Sequence, residues 1–451
     1  EKVEAATRGA GGLGLDRELL WLFFAGVCTP AAAGERLGFV VVVYAVGLFF
    51  VVLPLAEPRW GWLLGVKVPK NYVRPAKPTL VLLVNAIVEK KSVFGAVLAA
   101  VYFVAFAANR ILYEAEDVIF PSIARAQPKK YLWVLGQDRA STSRLHKALC
   151  AHESAVAGSK FDVIFSSITL KFVATHLSFF LDKPLEWISQ ALSDHPIIRS
   201  LVLFDGIEEH AFMLHFACTE ILCFQFGALC SKPDNTLELL TAVSDQHLEY
   251  MKRSLQRIIW FNDYQDRVYI GKPLLLTRHF DKLLSRFPHS EALVCIRNPR
   301  AVFPSELELL KSAACLNLED HDVQAFVRNP FLDHYESLYI ATHEILKSEE
   351  YHSRVHVVPN SSLESDEGKV LCALAPVIGL DFDVSFISDK TKPSESLNGG
   401  RPVARLAIVP EEEYLGRLEP IYCKIDALCK TREKSAIVYD SDISSTTKPS
   451  P

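Results

Sequence analysis

Residues 291–306 read EALVCIRNPRAVFPSE. Ala292 to Ile296 is an apolar run of buried-strand type. Pro299 cannot continue a central ladder, so Arg297 marks the strand's carboxyl end. Pro304 suits the first turn of the helix that follows, with Ser305 behind it. In an open α/β sheet, ligands bind outside the carboxyl ends of the strands. Arg297 and Ser305, eight apart, belong to such an edge. A guanidinium fork and a hydroxyl placed there can converge on one anion. A structural acid beside Arg297 would account for the arginine, but poorly for the whole pattern.

Outward from this stretch, residues 132–149 repeat the theme as LWVLGQDRASTSRLHKAL. A strand-type run meets Gly136, then Arg139, then small and hydroxylated residues, then a helical pattern. Backbone N–H groups at a helix start are unpaired and carry partial positive charge, so they hold phosphates. The nucleotidase P-loop needs G-x-x-x-x-G-K-[ST], and neither the second glycine nor the lysine is in place here. Strand, tight turn, Arg139, Ser141, Thr142, Ser143 and helix still form an anion cradle of the same kind. The alternative is an ordinary strand–helix turn with a hydroxyl cap.

Strand-like runs recur at Tyr131–Leu135, Ser200–Phe204, Val268–Ile270, Ala292–Ile296 and Val355–Val358. Helical patterns lie between and beyond them: Ser143–Ala151, Leu237–Ile259, Phe280–Phe287, Ser305–Ala314, Phe331–Lys347, Lys369–Ile378 and Glu411–Cys429. Strands alternating with helices predict an α/β domain over 130–430 with a P-loop-like central parallel sheet flanked by helices. Residues 110–130, with Pro121, Pro128 and mixed charge, read as a connector. The Ser/Thr-rich tail, 431–451, reads as disordered.

Residues 1–120 read as a membrane-anchoring region. The run 37–56 holds 20 residues without a charge and 92–109 another 18. The first has the length of one bilayer crossing. Buried core helices are the alternative. The loop between the runs holds Arg59, Lys67, Lys70, Arg74, Lys77, Lys90 and Lys91, which places it in the cytosol and both chain ends on the other side. Asn360-Ser361-Ser362 is a glycosylation sequon, consistent with a lumenal, Golgi-type domain.

Charge excludes a nucleic-acid binder. Residues 1–120 hold 12 basic and 10 acidic side chains, net +2, and the remainder holds 36 and 43, net −7. The ten cysteines show neither a C-x-x-C pair nor a zinc spacing. Nine follow residue 140, so at least one thiol there stays unpaired within the chain. Oligomeric state is not legible.

Together the motifs resemble the sulfotransferases that use 3'-phosphoadenosine 5'-phosphosulfate (PAPS). Strand–RNPRAVFPS–helix resembles that family's 3'-phosphate signature, which assigns Arg297 and Ser305 to the cofactor's 3'-phosphate. LGQDRASTSRLHKAL resembles its 5'-phosphosulfate loop, usually G-x-P-[KR]-S-G-T-[TS]. Arg139 falls on the basic position, and Thr142 and Ser143 fall on the hydroxyl pair. Asp138, Ala140 and Ser141 depart from the pattern, standing where the family has Pro, Ser and Gly. Residues 268–300, VYIGKPLLLTRHFDKLLSRFPHSEALVCIRNPR, are similar to the membrane-type and carbohydrate sulfotransferases, and Lys272 falls on their lysine.

The resemblance implies Lys272 and Arg139 as clamps on the leaving phosphate and sulfuryl group. Gly136, Arg139, Ser141, Thr142, Ser143, Arg297 and Ser305 would hold the cofactor, with no metal required. The partner is a hydroxyl-bearing acceptor: a sugar, lipid, protein or metabolite. A general base is needed for its proton. Glu208 in LVLFDGIEEHAF is the first candidate, ahead of Glu209 and His210. A solvated helix start would explain these acids equally well. The expectation is a membrane-anchored sulfotransferase. Two alternatives stand beside it: a nucleotide-binding or scaffold protein that has lost catalysis, and a P-loop kinase or NTPase. The missing Gly-Lys-Ser/Thr argues against the last.

Overall fold

The computed structural model describes residues 109, 112–137, 139–159, 162, 166–173, 243, 245–313, 324, 327–380 and 409–432. The apolar runs (except Asn109), the predicted strand Ser200–Phe204, the acids at 205–209 with His210, Asp138 and the tail from 433 lie outside the described residues. Among the described residues no helix is long and apolar enough to cross a membrane.

Among the described residues five strands form one wholly parallel sheet: β1 (Lys130–Gly136), β2 (Ala155–Val156), β3 (Val268–Gly271), β4 (Ser290–Ile296) and β5 (Val355–Pro359), in the order β2-β3-β1-β4-β5. The four longer strands lie within a residue or two of their apolar runs. The two-residue β2 has too little pattern to announce itself. β1 is central, with Lys130 opposite Val268 of β3 and Gly136 opposite Cys295 of β4. Side chains alternate along it. Leu132 and Val134 join a cluster with Leu145, Leu149, Leu293 and Leu371, whereas Trp133 and Leu135 join Leu255, Ile259, Leu283, Phe287 and Tyr335 on the other face. Both faces are covered, which is why the strands read as unbroken apolar runs.

The helices are α1 (Thr142–Cys150), α2 (Asp245–Asn262), α3 (Phe280–Arg286), α4 (Pro299–Ala313), α5 (Leu332–Lys347), α6 (Asn360–Ser365), α7 (Glu367–Ile378) and α8 (Glu411–Arg432). One start differs from expectation. α4 begins at Pro299, not near Ser305, because Asn298 caps it: its Oδ1 accepts from the Arg300 N–H at 2.9 Å. Pro299 takes the first helical position that suits a proline, and Pro304 lies inside the helix. The i→i−4 bond that Pro304 cannot make frees the carbonyl of exposed Arg300.

The stretch read as a connector packs on α2. A helix over 112–119 and the 3-10 helix Pro121–Arg125 carry it. Glu116 is buried and accepts from the Ser167 hydroxyl at 2.7 Å and from the Ile168 and Thr169 N–H groups at 3.0 and 2.7 Å. Arg257 of α2 pairs with Glu116 at 3.3 Å and lies 3.5 Å above the Tyr113 ring. Cys150, Cys295 and Cys423 are free thiols.

Candidate active site

The carboxyl end of β1 is a tight junction. Gly136 has φ +134°, and a Cβ there would lie 2.3 Å from the Cys295 carbonyl oxygen of β4. Only glycine fits so close to a neighbouring backbone in that conformation. Buried Thr277 brackets the same residue. Its Oγ1 accepts from the Gly136 N–H and donates to the Gly136 carbonyl, both at 3.1 Å. Thr277 belongs to the 3-10 helix Leu274–His279, which follows β3 and Lys272.

The chain then turns through two left-handed residues that are not glycine, Arg139 (φ +61°) and Ser141 (φ +64°). Such a conformation costs an L-residue roughly 1–2 kcal/mol, so other bonds must hold it. The Ser141 hydroxyl donates to the Asn360 side-chain oxygen at the carboxyl end of β5, and the Ser141 carbonyl receives the Leu145 N–H at 3.0 Å. Ser141 thus caps α1 through its backbone, with no side-chain cap bond. Its hydroxyl is spent on Asn360, and the first N–H groups of α1 point out of the helix end.

Four elements converge on this loop. The Arg139 Nε donates to the Ser305 hydroxyl of α4 at 2.9 Å. Arg297, at the end of β4, donates from Nη1 to the Arg139 carbonyl at 2.9 Å and meets Glu364 of α6 at 3.3 Å. Its Nε is buried without a partner. The Arg297 carbonyl accepts from the Tyr339 hydroxyl of α5 at 2.9 Å. Lys272 is buried to 9% exposure, and its Nζ donates to the Ser143 hydroxyl at 2.9 Å. Arg139, Arg297 and Ser305 therefore form one cluster. Lys272 and Ser143 form a second, and Gly136, Ser141 and Thr142 supply the turn between strand and helix.

The sequence misplaced one residue here and missed three. Asn360, read as a glycan acceptor, is 4% exposed and tied to Ser141, so the folded domain does not present it for modification. Thr277, Glu364 and Tyr339 carried no motif; each becomes visible only when the chain brings it to Gly136 or Arg297. Glu208 lies outside the described residues. Among the described residues no group of three or more His, Cys, Asp or Glu side chains gathers.

No family model matches the chain, and no curated protein matches it significantly. The fold has solved counterparts, sulfotransferases among them. Sulfotransferase STF1 from Mycobacterium tuberculosis superposes with a TM-score of 0.56 at 16% identity, over 75% of this chain and 92% of that one. Sulfotransferase STF9 from Mycobacterium avium gives 0.50 at 16% identity, over 74% and 84%. The chain has a sulfotransferase fold, and the cation clusters stand at the strand ends where that kind of sheet binds ligands.

Proposed function

We propose that the protein is a PAPS-dependent sulfotransferase, moving a sulfuryl group from PAPS to an acceptor hydroxyl. The observation that carries this reading is the Arg139–Ser305–Arg297 cluster at the carboxyl edge of a sulfotransferase-type sheet. A buried, unpartnered Arg297 Nε and two donors already gathered there suit a phosphate with several acceptor oxygens. Arg297 and Ser305 would take the 3'-phosphate. The N–H groups at the start of α1, with Thr142 and Ser143, would take the 5'-phosphate.

In such a transfer, charge builds on the leaving phosphate while the sulfuryl group passes to the acceptor oxygen. Placed cations supply most of the help, as in phosphoryl transfer. Lys272 stands where it can leave Ser143 for that charge. Arg139 has the same choice between Ser305 and the ligand. The acceptor's proton needs a base, and Glu208 keeps its place as the proposed one.

The test is transfer of radiolabelled sulfate from PAPS to pools of sugar, lipid, peptide and small-molecule acceptors, with the Arg297→Ala protein as control. Transfer by the parent and loss in the variant are expected. Equal labelling by both would end this assignment.

A second reading, nucleotide binding without transfer, draws on Ser141. Its Cβ stands in a left-handed turn where the resembling family has glycine. Binding of adenosine 3',5'-bisphosphate without turnover of PAPS would favour that reading.

We also propose that the runs 37–56 and 92–109 anchor the domain on the lumenal side of a secretory-pathway membrane. Their length and the basic loop between them support this. Protease digestion of sealed vesicles tests it, since cytosolic access to the domain overturns it.

A further inference from the structure

Arg278 is half-buried in the 3-10 helix Leu274–His279. Its neighbour Thr277 closes the ring of bonds around Gly136. Arg278 therefore follows directly on the residue that holds Gly136, and it is close in sequence to Lys272. Its polar contact is with a histidine: Nη1 lies 3.4 Å from Nδ1 of His334 on α5. A guanidinium only donates, so Nδ1 keeps its lone pair and the neutral ring carries its proton on Nε2. Burial, and then the charge of Arg278, push the His334 imidazole down to about 3, so the ring is neutral at physiological pH. Burial also lowers Arg278.

Among the described residues no carboxylate answers this cation. The acids nearest His334 on its own helix, Asp333 and Glu336, are both taken by Arg417 of α8. Among the described residues this half-buried arginine is bonded to a neutral ring and gains no opposite charge to offset its desolvation. Gln137 is a second unsatisfied group at this end of β1. It directly follows Gly136 and is 0% exposed, and neither its amide oxygen nor its amide nitrogen has a partner. Buried amides are rarely left so without a ligand or water to serve them.

We propose that Arg278 and His334 form a binding site for an anionic group, a carboxylate, sulfate or phosphate, borne by the hydroxyl acceptor. This rests on the sulfuryl-transfer reading of the neighbouring loop. The guanidinium supplies the charge and the donors, and the His334 Nδ1, accepting from Nη1, holds it in place. The acceptor class is thereby narrowed to molecules that carry both a hydroxyl and a negative charge. The same anion chemistry has another source, the cofactor's own phosphate or sulfuryl group, and the test separates the two.

The protein is saturated with adenosine 3',5'-bisphosphate, and inorganic sulfate is titrated in at constant ionic strength. Amide shifts around Thr277 and Tyr335 are followed in the full, isotope-labelled chain. Saturable shifts are expected. Arg278→Gln should weaken sulfate at least tenfold, His334→Phe at least threefold, and Arg278→Lys less than threefold. Nucleotide affinity should stay within twofold of the parent in all three variants, which also shows that they fold. Unchanged sulfate binding in Arg278→Gln overturns the proposal. So does a loss that follows Lys272→Ala instead, because the anion then sits at the transfer position. Weakened nucleotide binding in Arg278→Gln overturns it too, because the pair then serves the cofactor. Failure of the parent to bind adenosine 3',5'-bisphosphate at all is a different result. It overturns the transfer reading, and the acceptor assignment falls with it.

Discussion

The Nε of Arg139 and the hydroxyl of Ser305 meet at 2.9 Å, across a sequence separation of 166 residues. The bond joins the loop after β1 to the second turn of α4. It links the two motifs that the sequence offered as separate phosphate sites, so a nucleotide carrying both phosphates would meet one connected set of donors. Ser305→Ala removes the hydroxyl and leaves Arg139 to find another partner. The preference for adenosine 3',5'-bisphosphate over AMP should fall by about 1.5–3 kcal/mol, the range for a hydrogen bond to a charged group. Calorimetry with both nucleotides measures it, and an unchanged preference takes Ser305 out of the 3'-phosphate site.

Lys272 separates binding from chemistry. An interaction made only as charge develops lowers the rate and leaves ground-state affinity alone. Lys272→Ala should therefore cut turnover by about 100-fold or more, the scale for losing one such electrostatic donor, with little change in PAPS affinity. Arg297→Ala should weaken PAPS binding first. Steady-state kinetics on both variants, paired with direct binding, distinguishes the two patterns.

Gly136 admits no side chain. Alanine would place its Cβ 2.3 Å from the Cys295 carbonyl oxygen, at φ +134°. Both strands would have to shift at the sheet's centre. Gly136→Ala should cost at least about 1–3 kcal/mol, the usual penalty of overpacking, and should lower the urea midpoint of unfolding. A midpoint equal to the parent's would show that the junction is looser than drawn.

Asn360 and Ser141 should behave as a coupled pair. Without the Asn360 side chain, Ser141 loses the bond that offsets its left-handed backbone. Asn360→Ala should destabilise by about 1 kcal/mol. Ser141→Gly, which needs no such tether, should be neutral or stabilising. In the double variant the Asn360→Ala cost should largely vanish, and a double-mutant cycle on denaturant unfolding reads the coupling. Strictly additive costs would show that the two residues act independently.

The buried Glu116–Arg257 pair predicts a larger loss. Without Glu116, Arg257 keeps Asp117 and the Tyr113 and Arg253 carbonyls, so the loss falls mainly on the donors that Glu116 serves. Glu116→Ala should cost about 1–3 kcal/mol, because it leaves the Ser167 hydroxyl and the backbone N–H groups of Ile168 and Thr169 without their acceptor. Thermal unfolding checks the size. A loss below about 1 kcal/mol would place Glu116 in contact with solvent instead.

Much of the fold was legible because a parallel sheet buried on both faces writes itself as short apolar runs. Tyr131–Leu135 and Ala292–Ile296 fall inside β1 and β4 for that reason. Arg297 and Ser305 stood out because a proline close behind a strand fixes where it ends. What stayed hidden depends on contacts distant in sequence. Asn360 lies 219 residues from Ser141, and its local sequence spelled a glycan acceptor. Thr277 sits in an apolar run whose only distinction is its meeting with Gly136. The start of α4 was misjudged because Pro299 and Pro304 both suit a first turn, and only the side chain of Asn298 decides between them.

The strand order carries a consequence for biosynthesis. β1 sits in the middle of the sheet, yet its two partners are β3 and β4, and Lys130 waits for Val268. At the usual ribosomal rate of roughly 5–20 residues per second, the centre of the sheet is held open for on the order of 7–28 s after β1 emerges. For most of that interval β1 keeps two unpaired edges, and Trp133 and Leu135 lack the α2 and α3 residues that cover them. A nascent chain in this state is expected to engage holdase chaperones before the domain folds. Slow codons placed between β1 and β3 would lengthen the exposure, whereas the same codons after β5 would leave it unchanged.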